Sequence, residues 1–276
     1  MEKYQVRWPV AVFILFWACS CGSSQESLPG DPSLWTHEQL MEGARLLRPA
    51  DANGISVLFV KGEPYQMGYQ HGVLLRPQIQ ALTTRLYAIA LTQSLLDSKN
   101  PAPLARLKEA WERCGPHIPD SIREELRGLA EGAQVSLEQI QTVNMIPELF
   151  HCSGFALWGR ATSDGELIHG RILDYAMEIG YHNFACLIVQ RPEGKNAFVN
   201  VGYTGFIGSV TGTNDKQVTF GEMGGRGEGL WDGMPMAFLM RKGLEEADTM
   251  EEGVAIFRDT ARTCEYYYVI SDAKLR

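Results

Sequence analysis

The feature that most constrains the fold of this chain is an abrupt change of sequence pattern at Cys152. Before it, capping boxes at Thr36–Gln39 and Ser136–Gln139 and amphipathic spacing predict mostly helix. After it, short apolar runs between Gly, Asn and Asp turns predict strands, then two helices, then a last strand. Helices and strands in blocks, rather than in alternation, favour an α+β fold, an αββα sandwich of two stacked antiparallel sheets between helical layers.

The predicted elements follow from these patterns. Helices are expected over residues 65–96, 103–114 and 120–133, from 136 to about 146, from 234 to 246 and from the Thr249 capping box onward, with a break in the first at Pro77. Strands are expected over residues 55–60, 155–160, 167–173, 185–190, 197–201, 218–220 and 266–270. Gly68 and Gly72 lie four apart on the first helix, so we expect another backbone to approach closely there.

Three side chains of different chemistry are expected to meet in the first pair of strands after Cys152. The Asp164–Gly165 dipeptide between two apolar runs predicts a tight hairpin, with Cys152 at the mouth of its first strand. Arg171 and Asp174 stand at the far end of the second strand. In a hairpin the start of one strand lies beside the end of the other, so these side chains can converge. A thiol, a guanidinium and a carboxylate together are the parts of a nucleophilic site.

The amino-terminal residues predict export. Residues 9–21 form an apolar run behind Lys3 and Arg7, too short to span a bilayer and of the length of a signal-peptide core. We therefore predict a signal peptide over residues 1–21 and a Ser/Gly/Pro-rich tether over 22–34. Small residues around Cys19 and Cys21 also fit a lipoprotein signal, in which one of these cysteines is lipidated. The expected location is periplasmic or membrane-anchored; a plain cleaved signal and an uncleaved anchor are the alternatives.

Composition narrows the choice of partners and cofactors. The net charge is -8 and no run of Lys or Arg occurs, which argues against a nucleic-acid partner. No C-x-x-C pair or histidine spacing suggests a metal site, and no motif suggests a cofactor, so none is predicted. The remaining cysteines, Cys114, Cys186 and Cys264, are expected to be small buried residues. Four histidines are expected at the surface or in a core where their hydrogen bonds are satisfied: His71, His151, His169 and His182.

Three stretches of the chain carry a resemblance to a known family. They are Gly62-Glu63-Pro64-Tyr65-Gln66-Met67-Gly68-Tyr69-Gln70-His71-Gly72, the segment 126–140, and His151-Cys152-Ser153 followed by His169-Gly170-Arg171-Ile172-Leu173-Asp174-Tyr175. In this order they resemble the acyl-coenzyme A:6-aminopenicillanic acid acyltransferases, the C45 peptidase-like group of N-terminal nucleophile hydrolases. The resemblance runs from about residue 56 to the end of the chain.

The resemblance implies a precursor that cuts itself between His151 and Cys152. Residues 35–151 would be a helical pro-segment, and residues 152–276 would carry the nucleophile. Cys152 would become a new N-terminus whose α-amine serves as general base, because its ordinary pKa of about 7.7–8.0 leaves much of it unprotonated at neutral pH. Asp174 would orient that amine. Arg171 matches an arginine of the related choloylglycine hydrolases and would favour the thiolate.

The implied activity is hydrolysis of an amide, or transfer of an acyl group from a thioester, on a small-molecule substrate. Two departures from the family pattern bear on it. His151 stands where penicillin acyltransferases commonly have glycine. The asparagine that supplies the family's oxyanion contact has no counterpart before Arg276, so the sandwich is expected to be incomplete at its C-terminus.

Other hypotheses fit some of the same residues. A conventional thiol protease would pair Cys152 with His169 as base, and a catalytically inactive exported lipoprotein would only bind a ligand. For Asp174 the alternative role is turn capping. For Arg171 it is an ion pair with Asp174 or Glu178.

Overall fold

The computed structural model describes residues 31, 34–51, 54–96, 103–149, 151–174, 180–225 and 229–275. The predicted signal peptide, nearly all of the tether, and Glu178 lie outside these ranges. In chain order the elements are α1 His37–Leu40, β1 Arg45–Leu47, β2 Ser56–Gly62, α2 Pro64–Leu74, α3 Arg76–Leu96, α4 Pro103–Cys114, α5 Asp120–Ala133, α6 Leu137–Met145, β3 His151–Leu157, β4 Ile168–Asp174, β5 Ala185–Pro192, β6 Phe198–Tyr203, β7 Thr211–Asn214, β8 Val218–Gly224, α7 Met236–Glu246, α8 Met250–Asp259 and β9 Tyr266–Asp272.

The helix starts follow from local chemistry. Thr36 and Ser136 each accept a hydrogen bond from the main-chain N–H three residues later, and their own N–H groups donate to the side chains of Gln39 and Gln139, which confirms both capping boxes. The single helix predicted over 65–96 is interrupted at Leu75, where α2 ends and α3 begins. The break falls two residues before Pro77, as expected for a residue that cannot donate to the preceding turn.

Helices α2 and α5 cross at backbone contact distance. A Cβ atom added at Gly68 would overlap the carbonyl of Glu125, and one added at Gly128 would overlap the carbonyl of Tyr65. The predicted close approach at Gly68 is therefore confirmed. Glycine is required at this crossing because any side chain would push the two helices apart.

The strands form a seven-stranded sheet and a separate hairpin. The sheet has the order β1-β2-β5-β6-β7-β8-β9, with β2 and β5 parallel and all other pairs antiparallel. The α+β class is confirmed. Strands β1 and β7 were not predicted, since each has only three or four residues.

The hairpin β3–β4 and the helices α7 and α8 lie on opposite faces of the sheet. Neighbouring residues on a strand point to opposite faces. On β8, Phe220 stacks on Phe257 of α8 with ring centroids 5.6 Å apart. The next residue, Gly221, faces His169 of the hairpin. The hairpin is thus held against the β8–β9 end of the sheet.

Candidate active site

The hairpin brings the three predicted residues to one end, and its first strand begins earlier than expected. Strand β3 begins at His151 rather than Phe155, so Cys152 lies within the strand and not before it. His151 pairs with Asp174, Cys152 with Leu173 and Gly154 with Arg171. The hairpin predicted from Asp164–Gly165 is present, but its connection is longer than a tight turn, because a 3₁₀ turn at Gly159–Ala161 is part of it.

The sulfur of Cys152 is surrounded by three polar groups. Arg171 Nη2 donates to Cys152 Sγ, and the main-chain N–H of Asp174 acts to lower the pKa of the thiol. The Glu222 carboxylate accepts a hydrogen bond from the same Arg171 Nη2 at 2.8 Å, and its charge raises the pKa of the thiol. One cation, one N–H and one carboxylate can therefore act on this sulfur.

Arg171 is held by a buried ion pair that sequence analysis did not foresee. Its Nη2 lies 2.8 Å from Glu222 Oε2, and its Nε donates to the Glu222 carbonyl at 3.2 Å. The two side chains are only 3% and 1% exposed. The suggested pairing of Arg171 with Asp174 was wrong, because the arginine turns toward β8. A charge pair this well buried fixes the guanidinium in one position, since either partner alone would be costly.

The environment of Cys152 disfavours the thiolate. Burial is the main cause, the Glu222 charge is the next, and together they raise the pKa of the Cys152 thiol to about 12. Arg171 and the Asp174 N–H act in the opposite direction without overcoming them. At pH 7 a thiol with this pKa is ionised to roughly one part in 10⁵, so it needs a proton acceptor to react.

Asp174 lies on the outer side of the hairpin. Its side chain is exposed, and its Oδ2 accepts a hydrogen bond from Ser153 Oγ at 3.0 Å. Because Asp174 pairs with His151, it stands directly across from the peptide bond that precedes Cys152. Ser153 is a second residue that sequence analysis missed as a contact of the site.

His169 does not contact Cys152 in the described part of the chain. Its Nδ1 lies 2.7 Å from Ser271 Oγ on β9, and its ring packs against Gly221. Burial lowers the pKa of His169, so the ring is neutral. The prediction for His71 is confirmed: it is buried and its Nε2 accepts a hydrogen bond from the Gly205 N–H at 3.0 Å. His182 is exposed, and the side chain of His151 lies outside the described set.

The other cysteines fit their expected role in part. Cys114 and Cys186 are buried, whereas Cys264 is partly exposed. Burial raises the pKa of both Cys186 and Cys264 to about 11. Among the described residues, no cluster of three His, Cys, Asp or Glu side chains could hold a metal ion.

One signal in the sequence could have identified Glu222. It follows Val218–Gly221 in a strand whose alternate positions are buried, so a carboxylate there needs a partner. The partner could not be named, because Arg171 lies 51 residues away in the chain.

Comparisons with known proteins give the site a context. No protein-family model matches the chain. Protein dcd1B of Dictyostelium discoideum is 28% identical over 79% of this chain and 48% of its own length. N-acylethanolamine-hydrolyzing acid amidase of Rattus norvegicus is 23% identical over 70% and 56%, and acid ceramidase of Mus musculus is 24% identical over 57% and 46%.

The chain thus spans about half the length of the curated relatives it matches. Identity is low, but the matched region covers most of the chain, including the α+β fold and the strand that carries Cys152. At low identity and high coverage of this chain, these relatives support its resemblance to the C45 peptidase-like group of N-terminal nucleophile hydrolases.

Proposed function

We propose that this chain is the precursor of a cysteine N-terminal nucleophile hydrolase that cuts itself between His151 and Cys152. The mature protein would hydrolyse an amide bond, or transfer an acyl group from a thioester. The observation that carries the proposal is the arrangement at one strand end: Arg171 contacts the Cys152 sulfur, and Asp174 stands across from the bond to be cut. The relatives named as an amidase and a ceramidase support an amide substrate of small-molecule size.

Self-cleavage would begin with attack of the Cys152 sulfur on the His151 carbonyl carbon. The Glu222 carboxylate, which shares the Arg171 Nη2 donor with the thiol, is placed to accept its proton. A C–S bond forms, the C–N bond breaks, and the released nitrogen takes that proton to become an amine. Water then adds to the thioester, which regenerates the thiol and leaves a carboxylate on His151.

In the mature protein the α-amine of Cys152 would accept the thiol proton. A thiol with a pKa of about 12 needs such a base, and a base on the same residue is already positioned. Asp174 would orient the amine, and Arg171, fixed by Glu222, would stabilise the developing thiolate. The sulfur forms an acyl thioester with the substrate, and the protonated α-amine supplies the proton for the departing amine. Water or a second amine then takes the acyl group.

The proposed location is outside the cytoplasm, with residues 1–21 as signal and Cys19 or Cys21 as lipid attachment point. None of the described helices has the length and apolar character needed to cross a membrane. Intact mass of the purified protein tests the proposal. Loss of residues 1–18 or 1–20, with an added diacylglyceryl group on the new N-terminal cysteine, supports it, and an unprocessed Met1 terminus rejects it.

Cleavage is tested by intact mass and gel analysis of the purified full chain over time. The wild type should yield two fragments, the second beginning at Cys152, whereas Cys152→Ala should remain whole. Cys264→Ala, which alters another partly exposed thiol, is the matched control and should cleave normally. A wild-type chain that stays whole in an active sample rejects the proposal. If that activity also requires His169, the thiol-protease hypothesis replaces it.

A further inference from the structure

The residues just before Cys152 are held in place by Glu148, a side chain that has no role in the chemistry proposed above. A 3₁₀ turn at Ile146–Leu149 leads toward the proposed cleavage site. Within it, Glu148 is 3% exposed and its Oε1 accepts a hydrogen bond from the Met236 N–H at 2.7 Å. Met236 is the first residue of α7, so Glu148 satisfies an N–H that the helix itself cannot pair.

Further contacts hold the same turn. Tyr266 Oη lies 3.5 Å from both the Pro147 carbonyl and Glu148 Oε2. The pKa of Glu148 is raised to about 7, mainly by burial and in part by the negative charge of Glu222. This segment is therefore tied to α7 and β9, elements that follow Cys152 in the chain.

A need to cap α7 does not by itself explain a buried glutamate. Helix N-caps are ordinarily supplied by Ser, Thr, Asp or Asn just before the helix. Here the cap position is Pro235, which provides no side-chain acceptor, and the acceptor comes from 88 residues earlier in the chain. That residue lies in the segment that ends at the proposed cleavage site.

The position of Glu148 limits where the scissile carbonyl can go. It lies three positions before His151, a reach of about 10 Å at full extension. His151 and Cys152 are themselves held by the pairing of β3 with β4, opposite Asp174 and Leu173. The His151 carbonyl therefore lies between the Glu148 anchor and a paired strand. Orientation of this kind can supply several powers of ten in rate, and a misplacement of about 1 Å can cost about 10²-fold.

We propose that Glu148 is a positioning residue for self-cleavage: by binding the first N–H of α7, it holds the His151 carbonyl within reach of the Cys152 sulfur. This inference rests on the proposed function. The N-terminus of α7 would then also anchor the segment that ends at the cleavage site.

The test measures the cleavage rate of freshly folded full chain. Glu148→Ala should slow cleavage by about 10²-fold, and Glu148→Gln, which keeps an oxygen acceptor for Met236, by about tenfold or less. Glu138→Ala, an exposed glutamate in the first turn of α6, is the control and should cleave at the wild-type rate. Hydroxylamine, which opens thioesters, should not restore the rate, because the slowed step precedes the thioester.

A double variant separates positioning from stability. Glu148→Ala with Pro235→Ser supplies a local cap to α7 but leaves the cut segment unanchored. We expect its urea midpoint, measured with Cys152→Ala added, to return toward that of Cys152→Ala alone while its cleavage stays slow. Recovery of cleavage together with stability would overturn the inference, as would wild-type cleavage in Glu148→Ala. A wild type that never cleaves would instead refute the proposed function.

Discussion

His71 makes the folded protein sensitive to acid in a way that can be calculated. It lies on α2, is 1% exposed, and uses Nε2 as an acceptor for the Gly205 N–H. A protonated ring could not accept that bond. Burial lowers the pKa of His71 from 6.5 to about 3, and the positive charge of Arg241 makes a second, smaller contribution. The ring is therefore neutral in the folded protein across the physiological range.

The sign and size of the effect follow from linkage. Between pH 6.5 and 3 the unfolded chain binds a proton at His71 that the folded chain does not bind, so acid favours unfolding. The stability contribution is complete above pH 6.5 and is lost as the pH falls. Each pKa unit corresponds to about 1.4 kcal/mol, so lowering the pH from 7.5 to 4.5 should remove about 3 kcal/mol through this one ring.

The measurement is urea unfolding of His71→Gln and its parent at both pH values. Both should carry Cys152→Ala, so that each is a single chain. Other groups, including Glu148 with its raised pKa, also change stability over this range, but they are common to both proteins and cancel in the difference. We expect the parent's advantage over His71→Gln to shrink by about 3 kcal/mol at pH 4.5.

The control is His182→Gln, which changes an exposed ring. The difference in free energy of unfolding between His182→Gln and its parent should change by less than about 0.5 kcal/mol between the two pH values. A parent advantage over His71→Gln that is equally independent of pH would refute the reasoning, because it would mean that His71 titrates alike in the folded and unfolded chains.

Three further substitutions and one control, Gly115→Ala, probe the fold by urea unfolding in the Cys152→Ala background. Gly128→Ala should lower the free energy of unfolding by at least about 1–3 kcal/mol, because the new methyl group overlaps the Tyr65 carbonyl on α2. Gly115→Ala should lower it much less, because its Cβ would have only an ordinary contact at 3.8 Å. Ser136→Ala removes the cap of α6 and should cost about 1 kcal/mol. Arg171→Ala leaves the Glu222 carboxylate buried without its ion-pair partner and should cost about 3–5 kcal/mol, and with Cys152 restored it should also block cleavage.

Local signals account for most of the fold that could be predicted. The helices over 103–114 and 120–133 have the predicted bounds. Each begins at a proline or acidic start signal and carries a continuous amphipathic pattern, so no distant contact is needed to define it. Short strands behave differently. β7 is the sequence Thr-Gly-Thr-Asn, which carries no strand pattern and is defined only by its neighbours β6 and β8.

Only the site residues that belong to the β3–β4 hairpin could be predicted from the sequence. Cys152 and Arg171 could be placed together because antiparallel pairing brings the two ends of a hairpin side by side. The register could not be predicted, because it depends on how many residues the connection absorbs. Glu222 and Glu148 could not be assigned, since their partners Arg171 and Met236 are 51 and 88 residues away and meet them only after the sheet has formed.

The segments on either side of the proposed cut are parts of one folded unit. Strand β2, from the first segment, pairs along seven residues with β5 from the second. Glu125 of α5 lies 2.6 Å from Arg241 of α7, and both side chains are almost fully buried. Separating the segments would expose this ion pair and a central sheet edge to water. The free-energy cost would be far larger than the conformational entropy gained by cutting one peptide bond. Cleavage at His151 would therefore be a local change that frees an amine at Cys152 while the surrounding fold holds Arg171, Asp174 and Glu222 in place.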